Sequence, residues 1–229
     1  MKTYLYDLHI HTSESSACAA STGAEMAENY KKLGYDGIFI TDHFLNANTA
    51  VDRSLPWDAQ VDGLCRGFEN ARARGAAIGL DVFFGFEYSC EGTDFLIYGL
   101  DKDWLKAHPE VMTLELKQFL RLVRESGAGI VHAHPFRKAD YIREMHLVPD
   151  HTDAAEVVNL GNTQKLGVSF NLIARRYAEL FGLGMVSGSD AHWAGMTEAA
   201  GIRSPVRFYS AQDYVKALRK KQKFELLGE

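Results

Sequence analysis

Histidine and carboxylate residues form five clusters in this chain, and each cluster follows a short apolar run. In chain order the clusters are Asp7-Leu8-His9-Ile10-His11, Thr41-Asp42-His43, Gly85-Phe86-Glu87, His132-Ala133-His134-Pro135 and Ser187-Gly188-Ser189-Asp190-Ala191-His192. Imidazole and carboxylate are the ligands that divalent metals take in proteins when thiolates are not used. A fold that accommodates all five clusters must bring the ends of these runs together. We therefore expect one polynuclear metal site.

The composition bounds the class of protein. At 229 residues, with 46% hydrophobic and 24% charged residues, the chain suits a single α/β domain. A net charge of −5 and a pI near 6.0 argue against long nucleic acid or an anionic membrane as partner, and favour a small substrate. Three cysteines without CxxC spacing, no signal peptide and no long apolar stretch predict a reduced, cytoplasmic protein. The oligomeric state stays open.

Short apolar runs alternate with longer amphipathic ones, which indicates βα units and a mostly parallel sheet. The patterns predict strands over 4–10, 37–41, 77–84, 95–100, 129–131, 154–160, 183–187 and 203–209, and helices over 23–33, 57–74, 113–126, 162–181 and 211–221. Roughly seven strands with intervening helices suggest a barrel, whose functional residues gather at the C-terminal ends of its strands. All five clusters lie at or just past such an end.

The spacing within the first two clusters predicts how their side chains point. His9 and His11 are two residues apart, so on a strand they project from one face and can clamp one metal. Asp7 shares that face, and we expect it to orient the His9 ring as a hydrogen-bond acceptor. Asp42 and His43 follow a very apolar strand, where a charged pair indicates either an exposed loop or a functional position.

The other three clusters supply further ligands. Glu87 follows an aromatic strand, where an unpaired carboxylate is costly, and this favours a bridging metal ligand. His132 and His134 repeat the same-face pairing at the end of an apolar strand. Asp190 and His192 place a carboxylate and an imidazole on one side of an extended turn.

The ordered set HxH, TDH, GxE, a strand ending in HP, and SDAH resembles the PHP (polymerase and histidinol phosphatase) superfamily of metal-dependent phosphoesterases. The resemblance extends from Asp7 to His192. It implies a distorted (β/α)7 TIM-like barrel, here one PHP-type domain over residues 1–229, with a di- or trinuclear site at the C-terminal ends of the strands. It also implies hydrolysis of phosphate esters of small metabolites, nucleotides or short oligonucleotides.

The resemblance also implies a set of metal ligands and two or three divalent ions, which are zinc, manganese or iron. His9, His11, Glu87 and Asp190 match the ligands of one metal, with Glu87 able to bridge to another. The remaining ligands are His43 for a second metal, together with His134 and His192.

Two positions depart from the family pattern. Ser16 stands where many small members have an aspartate ligand, and Leu96 stands where many have a histidine ligand. A leucine cannot bind metal. A third metal therefore requires that Glu14, Asp94 or His132 substitutes for the missing ligand.

The expected reaction is attack of metal-activated hydroxide on phosphorus. His192 or His132 is the predicted acid that protonates the leaving group. Arg137, two residues past Pro135, is predicted to hold the phosphate, although a surface arginine on a loop explains it almost as well. Asn159 and Asn162 are predicted either to bind substrate or to form a turn.

The sequence thus predicts a metal-dependent phosphatase that hydrolyses a small phosphorylated metabolite, such as histidinol phosphate or a nucleotide. A first alternative is a 3′–5′ exonuclease or oligonucleotide phosphodiesterase. A second is a non-catalytic metal- or ligand-binding module with a partly degraded site, and a third is an amidohydrolase-like enzyme that cleaves C–N bonds. Metal content and turnover of phosphate esters distinguish these alternatives.

Overall fold

The structure, a computed structural model, describes residues 2–165, 169–195 and 200–228. Its strands are β1 (Tyr4–Ile10), β2 (Gly37–Ile40), β3 (Asp81–Cys90), β4 (Thr93–Tyr98), β5 (Gly129–His132), β6 (Ala154–Asn159), β7 (Gly184–Gly188), β8 (Gly201–Ser204) and β9 (Glu225–Leu227). Its helices are α1 (Gly23–Lys32), α2 (Trp57–Ile78), α3 (Lys102–Ala107), α4 (Leu116–Glu125), α5 (Leu160–Lys165), α6 (Ser169–Phe181) and α7 (Ala211–Arg219).

The strands of the described residues form one sheet in the order β7-β6-β5-β4-β3-β2-β1-β8-β9. The pairs β1–β2, β2–β3, β5–β6 and β6–β7 are parallel, whereas β4 is antiparallel to both of its neighbours. The sheet nearly closes, because the segment after β7 returns to the end of β1. There His11 N–H donates to the Ala191 carbonyl (2.8 Å), and Ala191 N–H donates to the His9 carbonyl (3.3 Å). The predicted TIM-like barrel is confirmed, with β8 and β9 added as an antiparallel edge.

Aromatic side chains fill the barrel interior. Tyr6, Phe39, Tyr98, Phe208 and Tyr214 are fully buried in one cluster. Tyr214 belongs to α7 and packs edge-on against Tyr98, with ring centroids 5.0 Å apart. These large rings exclude water from the middle of the barrel, so polar chemistry is confined to the strand ends.

Most predicted elements are confirmed, with differences that have local causes. The predicted strand over 77–84 is wrong at its start, because α2 continues to Ile78 and ends at the left-handed Gly79 (φ 74°). The predicted helix over 162–181 corresponds to α5 and α6, and residues 166–168 lie outside the described residues. The short elements α3 and β9 were not predicted.

One glycine of α2 permits a close approach to the strand ends. A Cβ at Gly67 would lie 1.8 Å from Thr12 Oγ1 and 2.9 Å from Asp42 Oδ2. The helix backbone therefore packs directly against the residues behind the metal clusters. In the described part of the chain, every helix is too short or too polar to cross a bilayer.

Candidate metal centre

The residues of the five clusters meet at one end of the barrel. His9 lies near the end of β1, and Glu87 lies in β3. The Glu87 N–H donates to the Asp42 carbonyl (3.0 Å) in the segment after β2, so Glu87 lies beside that segment. The other members follow the ends of β1, β2, β5 and β7; they are His11, His43, His134, Asp190 and His192. His134 (φ 26°) and Asp190 (φ 57°) have left-handed backbone conformations, which are strained for residues with side chains and are frequent at functional sites.

Glu87 is the centre of the cluster and is almost fully buried. Its Oε1 lies 3.2 Å from His9 Nε2 and 3.1 Å from His134 Nε2. Its Oε2 lies 2.7 Å from His43 Nδ1 and 3.6 Å from His11 Nε2. Each carboxylate oxygen thus faces a different pair of imidazoles, which is the arrangement expected of a bridging ligand.

Asp190 faces the histidine pair from the segment after β7, which lies beside the end of β1. Its Oδ1 lies 3.5 Å from His9 Nε2 and 3.3 Å from His11 Nε2. Its Oδ2 accepts a hydrogen bond from Arg137 Nη2 at 2.7 Å. Despite burial, the charges of His9 and Arg137 hold the pKa of Asp190 well below its usual range. Asp190 is therefore ionised and available as a ligand.

A second group of imidazoles lies beside the first. The His11 ring is 4.3 Å from the His43 ring and 4.3 Å from the His192 ring. Cys18, which sequence reasoning did not assign to the site, places its Sγ 3.2 Å from His43 Nε2. Burial raises the pKa of the Cys18 thiol, but hydrogen bonds with His192 and His43 outweigh this and lower it to about 6.

Acceptors behind the cluster fix the orientation of three imidazoles. Glu156 Oε1 lies 3.1 Å from His9 Nδ1, and Ser16 Oγ lies 3.1 Å from His11 Nδ1. His192 Nδ1 donates to the Asp190 carbonyl at 2.8 Å. In each ring the Nδ1 atom is engaged, so Nε2 is left as the ligand atom.

The orienting role predicted for Asp7 is wrong for the His9 ring. The carboxylate of Asp7 accepts instead from the backbone N–H groups of His9 and Ser189 (both 3.1 Å) and from Tyr30 Oη (2.8 Å). The pairing of β1 with β2 shifts register between Asp7 and Ile10, so the regular alternation of faces does not hold there. Glu156, the one charged residue in the buried strand β6, orients the His9 ring instead. A carboxylate within a largely apolar strand is the sequence signal that could have identified it.

Ser16 and Asp42 form a hydrogen-bonded layer behind the histidines. Asp42 accepts from Thr12 N and Thr12 Oγ1 (both 2.6 Å) and from Ser16 Oγ (2.7 Å). Burial outweighs these bonds and raises the pKa of Asp42 to about 6. Ser16 also accepts from the His43 N–H at 3.0 Å. Asp42 thus belongs to the buried support behind the site, whereas the His43 imidazole belongs to the site itself.

Asp94 is the residue best placed to supply the ligand missing at Leu96. Its Oδ2 lies 3.7 Å from His134 Nε2, and burial together with the nearby Glu87 charge raises its pKa to about 6. Leu96 pairs with Glu87 across β3 and β4 but packs into the barrel interior. Glu14 is engaged elsewhere, since its carboxylate accepts from the Gly23 N–H at 3.0 Å.

The structure separates the two histidines of the HAH segment. His134 contacts Glu87, whereas the His132 ring stacks on Phe95 (5.0 Å) and meets the Tyr177 ring edge-on (5.8 Å). Burial, with a contribution from His134, lowers the pKa of His132 to about 3. His132 is therefore neutral near pH 7, which argues against its predicted role as proton donor.

Arg137 lines the pocket but is already engaged. Its Nε donates to Asn162 Oδ1 (2.7 Å), and its Nη2 donates to Asn159 Oδ1 (2.7 Å) in addition to Asp190. Both asparagines are fully buried, so they hold the arginine rather than face substrate. The contact of Arg137 with phosphate stays a prediction, since a guanidinium has five N–H donors.

The donor set fits divalent cations. Among the described residues, three groups place their ligand atoms within 4.8 Å of one another at this barrel end: His9–His11–Asp190, His9–Glu87–His134 and His11–His43–His192. Glu87 is buried, and His43 Nδ1 lies 2.7 Å from its Oε2. A buried carboxylate is costly unless positive charge, from a protonated imidazole or a metal cation, compensates it. Neutral imidazoles with carboxylates and a thiol match zinc, manganese or iron.

The pKa shifts of the central residues indicate the same need for positive charge. Burial by itself lowers the pKa of His9, but the charges of Glu156, Asp190 and Glu87 raise it well above its usual value. Burial likewise opposes ionisation of Glu87, yet the charges of His9 and His43 hold its pKa well below the usual range. Without metal, protons on the imidazoles balance these buried carboxylates.

A pocket of about 530 Å³ opens onto the cluster. Its lining includes Cys18, His43, Asn48, Glu87, Ser89, Asp94, His134, Arg137, Tyr141, Asp190 and His192. A volume in this range suits a small molecule. Five of the seven predicted metal residues therefore line a cavity large enough for a metabolite.

Comparison with known proteins identifies one matching family model and several structures of similar fold. The model of the family described as PHP-associated matches residues 168–222. The structure is similar to a two-domain protein containing a predicted PHP-like metal-dependent phosphoesterase from Bacteroides vulgatus ATCC 8482, with a TM-score of 0.70 and 17% identity over 96% of this chain. It is also similar to PsfC from Pseudomonas syringae PB-5123, with a TM-score of 0.68 and 19% identity over 96% of this chain and 95% of that one.

A third similar structure is the lesion-specific endonuclease PfuEndoQ from Pyrococcus furiosus, with a TM-score of 0.57 and 13% identity over 98% of this chain. The chain spans 64% of the length of the Bacteroides protein and 58% of that of the endonuclease. No curated protein matches the chain. The structural likenesses confirm the predicted barrel fold, and the family match over residues 168–222 agrees with the resemblance found in the sequence.

Proposed function

We propose that this chain, which has the fold of the PHP superfamily, is a metal-dependent phosphoesterase that hydrolyses a small phosphate monoester. The observation that carries the proposal is that the seven predicted metal residues form three adjoining groups at one barrel end, and that five of them line one pocket. Two or three divalent cations held there would supply Lewis acidity and neutralise phosphate charge.

The protein's own residues set up this chemistry. Glu87 faces imidazoles with both oxygens and would hold a cation through each of them. Glu156 and Ser16 hold His9 and His11 with Nε2 directed to the site, and they keep these rings from turning away. Because the ring of His192 belongs to the second imidazole group, we assign it as a ligand rather than as the acid. Tyr141 at the pocket is 56% exposed, so the pocket is open to solvent on that side, and we propose water as the proton source for the leaving group.

A small substrate is favoured over a polymer. The chain carries a net charge of −5, and among the described pocket-lining residues the basic side chains are histidines and Arg137. A long polyanion binds through many lysine and arginine contacts. The likeness to an endonuclease keeps an oligonucleotide phosphodiesterase as a second candidate.

Phosphate release from a panel of phosphomonoesters, with manganese or zinc added to metal-free protein, tests the proposal. We expect metal-dependent turnover that His9→Ala abolishes and His151→Ala retains, since His151 lies outside the site in a 3₁₀ turn. A phosphodiester and a short single-stranded oligonucleotide are assayed in parallel. Faster turnover of the diester or oligonucleotide supports the second candidate, and a fully metallated protein inactive on every ester contradicts both.

A further inference from the structure

We propose that Cys18 is a thiolate ligand of a metal ion that His43 and His192 also bind, and that this thiolate selects zinc over manganese at that position. The inference rests on the metal centre of the proposed function but not on the identity of its substrate. It concerns a residue that belongs to none of the five histidine and carboxylate clusters.

The thiol lies at ligand distance from His43, one member of the second imidazole group. Cys18 Sγ is 3.2 Å from His43 Nε2, and both residues line the pocket together with His192. Two ligands of a tetrahedral zinc, one sulfur and one nitrogen, lie about 3.5 Å apart when the Zn–S and Zn–N bonds have their usual lengths. The observed separation is close to this value.

The imidazoles of this group are already oriented for metal binding. His192 Nδ1 is occupied by the Asp190 carbonyl, which leaves Nε2 free to bind. The His192 ring stacks on the His11 ring at 4.3 Å. The other ring nitrogen of His43, Nδ1, lies 2.7 Å from the buried Glu87 Oε2, so this carboxylate holds the ring with Nε2 directed to Cys18.

The loop that carries Cys18 is anchored on both sides of it. The Ala17 N–H donates to the Asn48 carbonyl (3.0 Å), and the Ala20 N–H donates to the carbonyl of His192 (2.7 Å). The Ala19 N–H donates to the Ser16 carbonyl at 3.1 Å. The thiol is therefore held at the pocket by the same backbone that positions His192, although the residue itself is exposed.

The chemistry of the thiolate accounts for a metal preference. When the metal binds, the sulfur–metal bond forms, the S–H bond breaks and the proton passes to solvent. Soft thiolate ligands favour zinc, whereas manganese prefers oxygen ligands. The nearby Ser16 hydroxyl is engaged with Asp42 and contributes no negative charge. Cys18 supplies the anionic ligand for this group.

Cobalt(II) is the probe, because its d–d absorption reports binding and a near-ultraviolet sulfur-to-cobalt charge-transfer band reports thiolate ligation. Metal-free protein is titrated with cobalt. We expect the wild type to show both signals, and Cys18→Ser to lose the charge-transfer band while it keeps d–d absorption from the remaining ligands. The control Cys90→Ser, at the end of β3, keeps both. Cys18→His retains the cobalt stoichiometry without the charge-transfer band.

The outcomes separate this inference from the proposed function. If d–d absorption appears in the wild type without a charge-transfer band, or if the band persists in Cys18→Ser, the thiolate ligand is overturned and the metal centre stands. If neither signal appears, the metal centre of the proposed function is overturned as well. Zinc and manganese competition against bound cobalt completes the test: we expect the ratio of zinc to manganese affinity to fall in Cys18→Ser, and an unchanged ratio overturns the selectivity.

Discussion

Replacing Glu156 with glutamine tests whether a carboxylate behind His9 determines the metal affinity of the centre. Glu156 is buried, and its Oε2 accepts from the His134 N–H (2.8 Å) and from Asn159 Nδ2 (2.8 Å). Its Oε1 faces His9 Nδ1. Glutamine retains the shape and can keep both Oε2 bonds with its carbonyl oxygen. Its NH₂ group then faces His9 Nδ1.

This contact determines which nitrogen of His9 carries a proton. A glutamine NH₂ is a donor, so Nδ1 must accept and the proton moves to Nε2. Nε2 is the atom that lies 3.2 Å from Glu87 and 3.5 Å from Asp190. A protonated nitrogen cannot bind metal. Loss of an orienting partner of this kind lowers metal affinity roughly 10- to 100-fold, which is about 1.4–2.8 kcal/mol.

Competition with a chromophoric chelator measures the zinc and manganese dissociation constants of wild type and variant. The control Glu179→Gln changes the same group in an exposed pair with Arg176 and should leave the constants unchanged. Circular dichroism confirms that the variant is folded. Metal affinity within about twofold of wild type in folded Glu156→Gln would refute the reasoning that Glu156 orients His9.

Three further predictions concern stability. Gly67→Ala places a methyl group against Thr12 and should lower the free energy of unfolding in urea by at least about 1–3 kcal/mol. The control Gly63→Ala, on the same helix, meets only side-chain methyl groups and should lower it less; equal effects would contradict the close packing at Gly67. Tyr98→Phe removes the buried hydrogen bond to the Leu8 carbonyl (2.8 Å) and should cost about 1–3 kcal/mol, with an unchanged unfolding midpoint as the contrary result. Removal of metal by a chelator should lower the melting temperature of the protein. Re-addition of metal at about 100 times its dissociation constant should restore about 2.7 kcal/mol of unfolding free energy. A melting temperature insensitive to metal would argue against the metal centre.

The metal ligands could be predicted because their signals are local. His11, His43, Asp190 and His192 each follow an apolar strand within a few residues, and the barrel brings all such ends to one mouth. Glu87 was recognisable because an ionised group directly after aromatic residues requires compensation. These signals depend on neighbours in the sequence, so the site and the fold class followed from them.

Side-chain orientation within the clusters was less predictable. The equal spacing of His132 and His134 suggested one shared face, but β5 ends at His132 and the chain enters a left-handed conformation at His134. One histidine consequently packs on Phe95 while the other reaches Glu87. Strict alternation holds only while the strand continues. The register shift in β1 redirected Asp7 for a related reason.

The sequence by itself predicted the barrel, a donor set suited to divalent metals and seven of the residues that meet at the centre, because apolar periodicity and residue type are properties of short segments. Only the tertiary structure decided that Glu156 orients His9 and that Cys18 joins the imidazoles. The first of these pairs is 147 positions apart in the chain and the second is 25 positions apart. Their contacts arise from the closure of the sheet and the anchoring of a loop, and no local pattern encodes the distance between such groups.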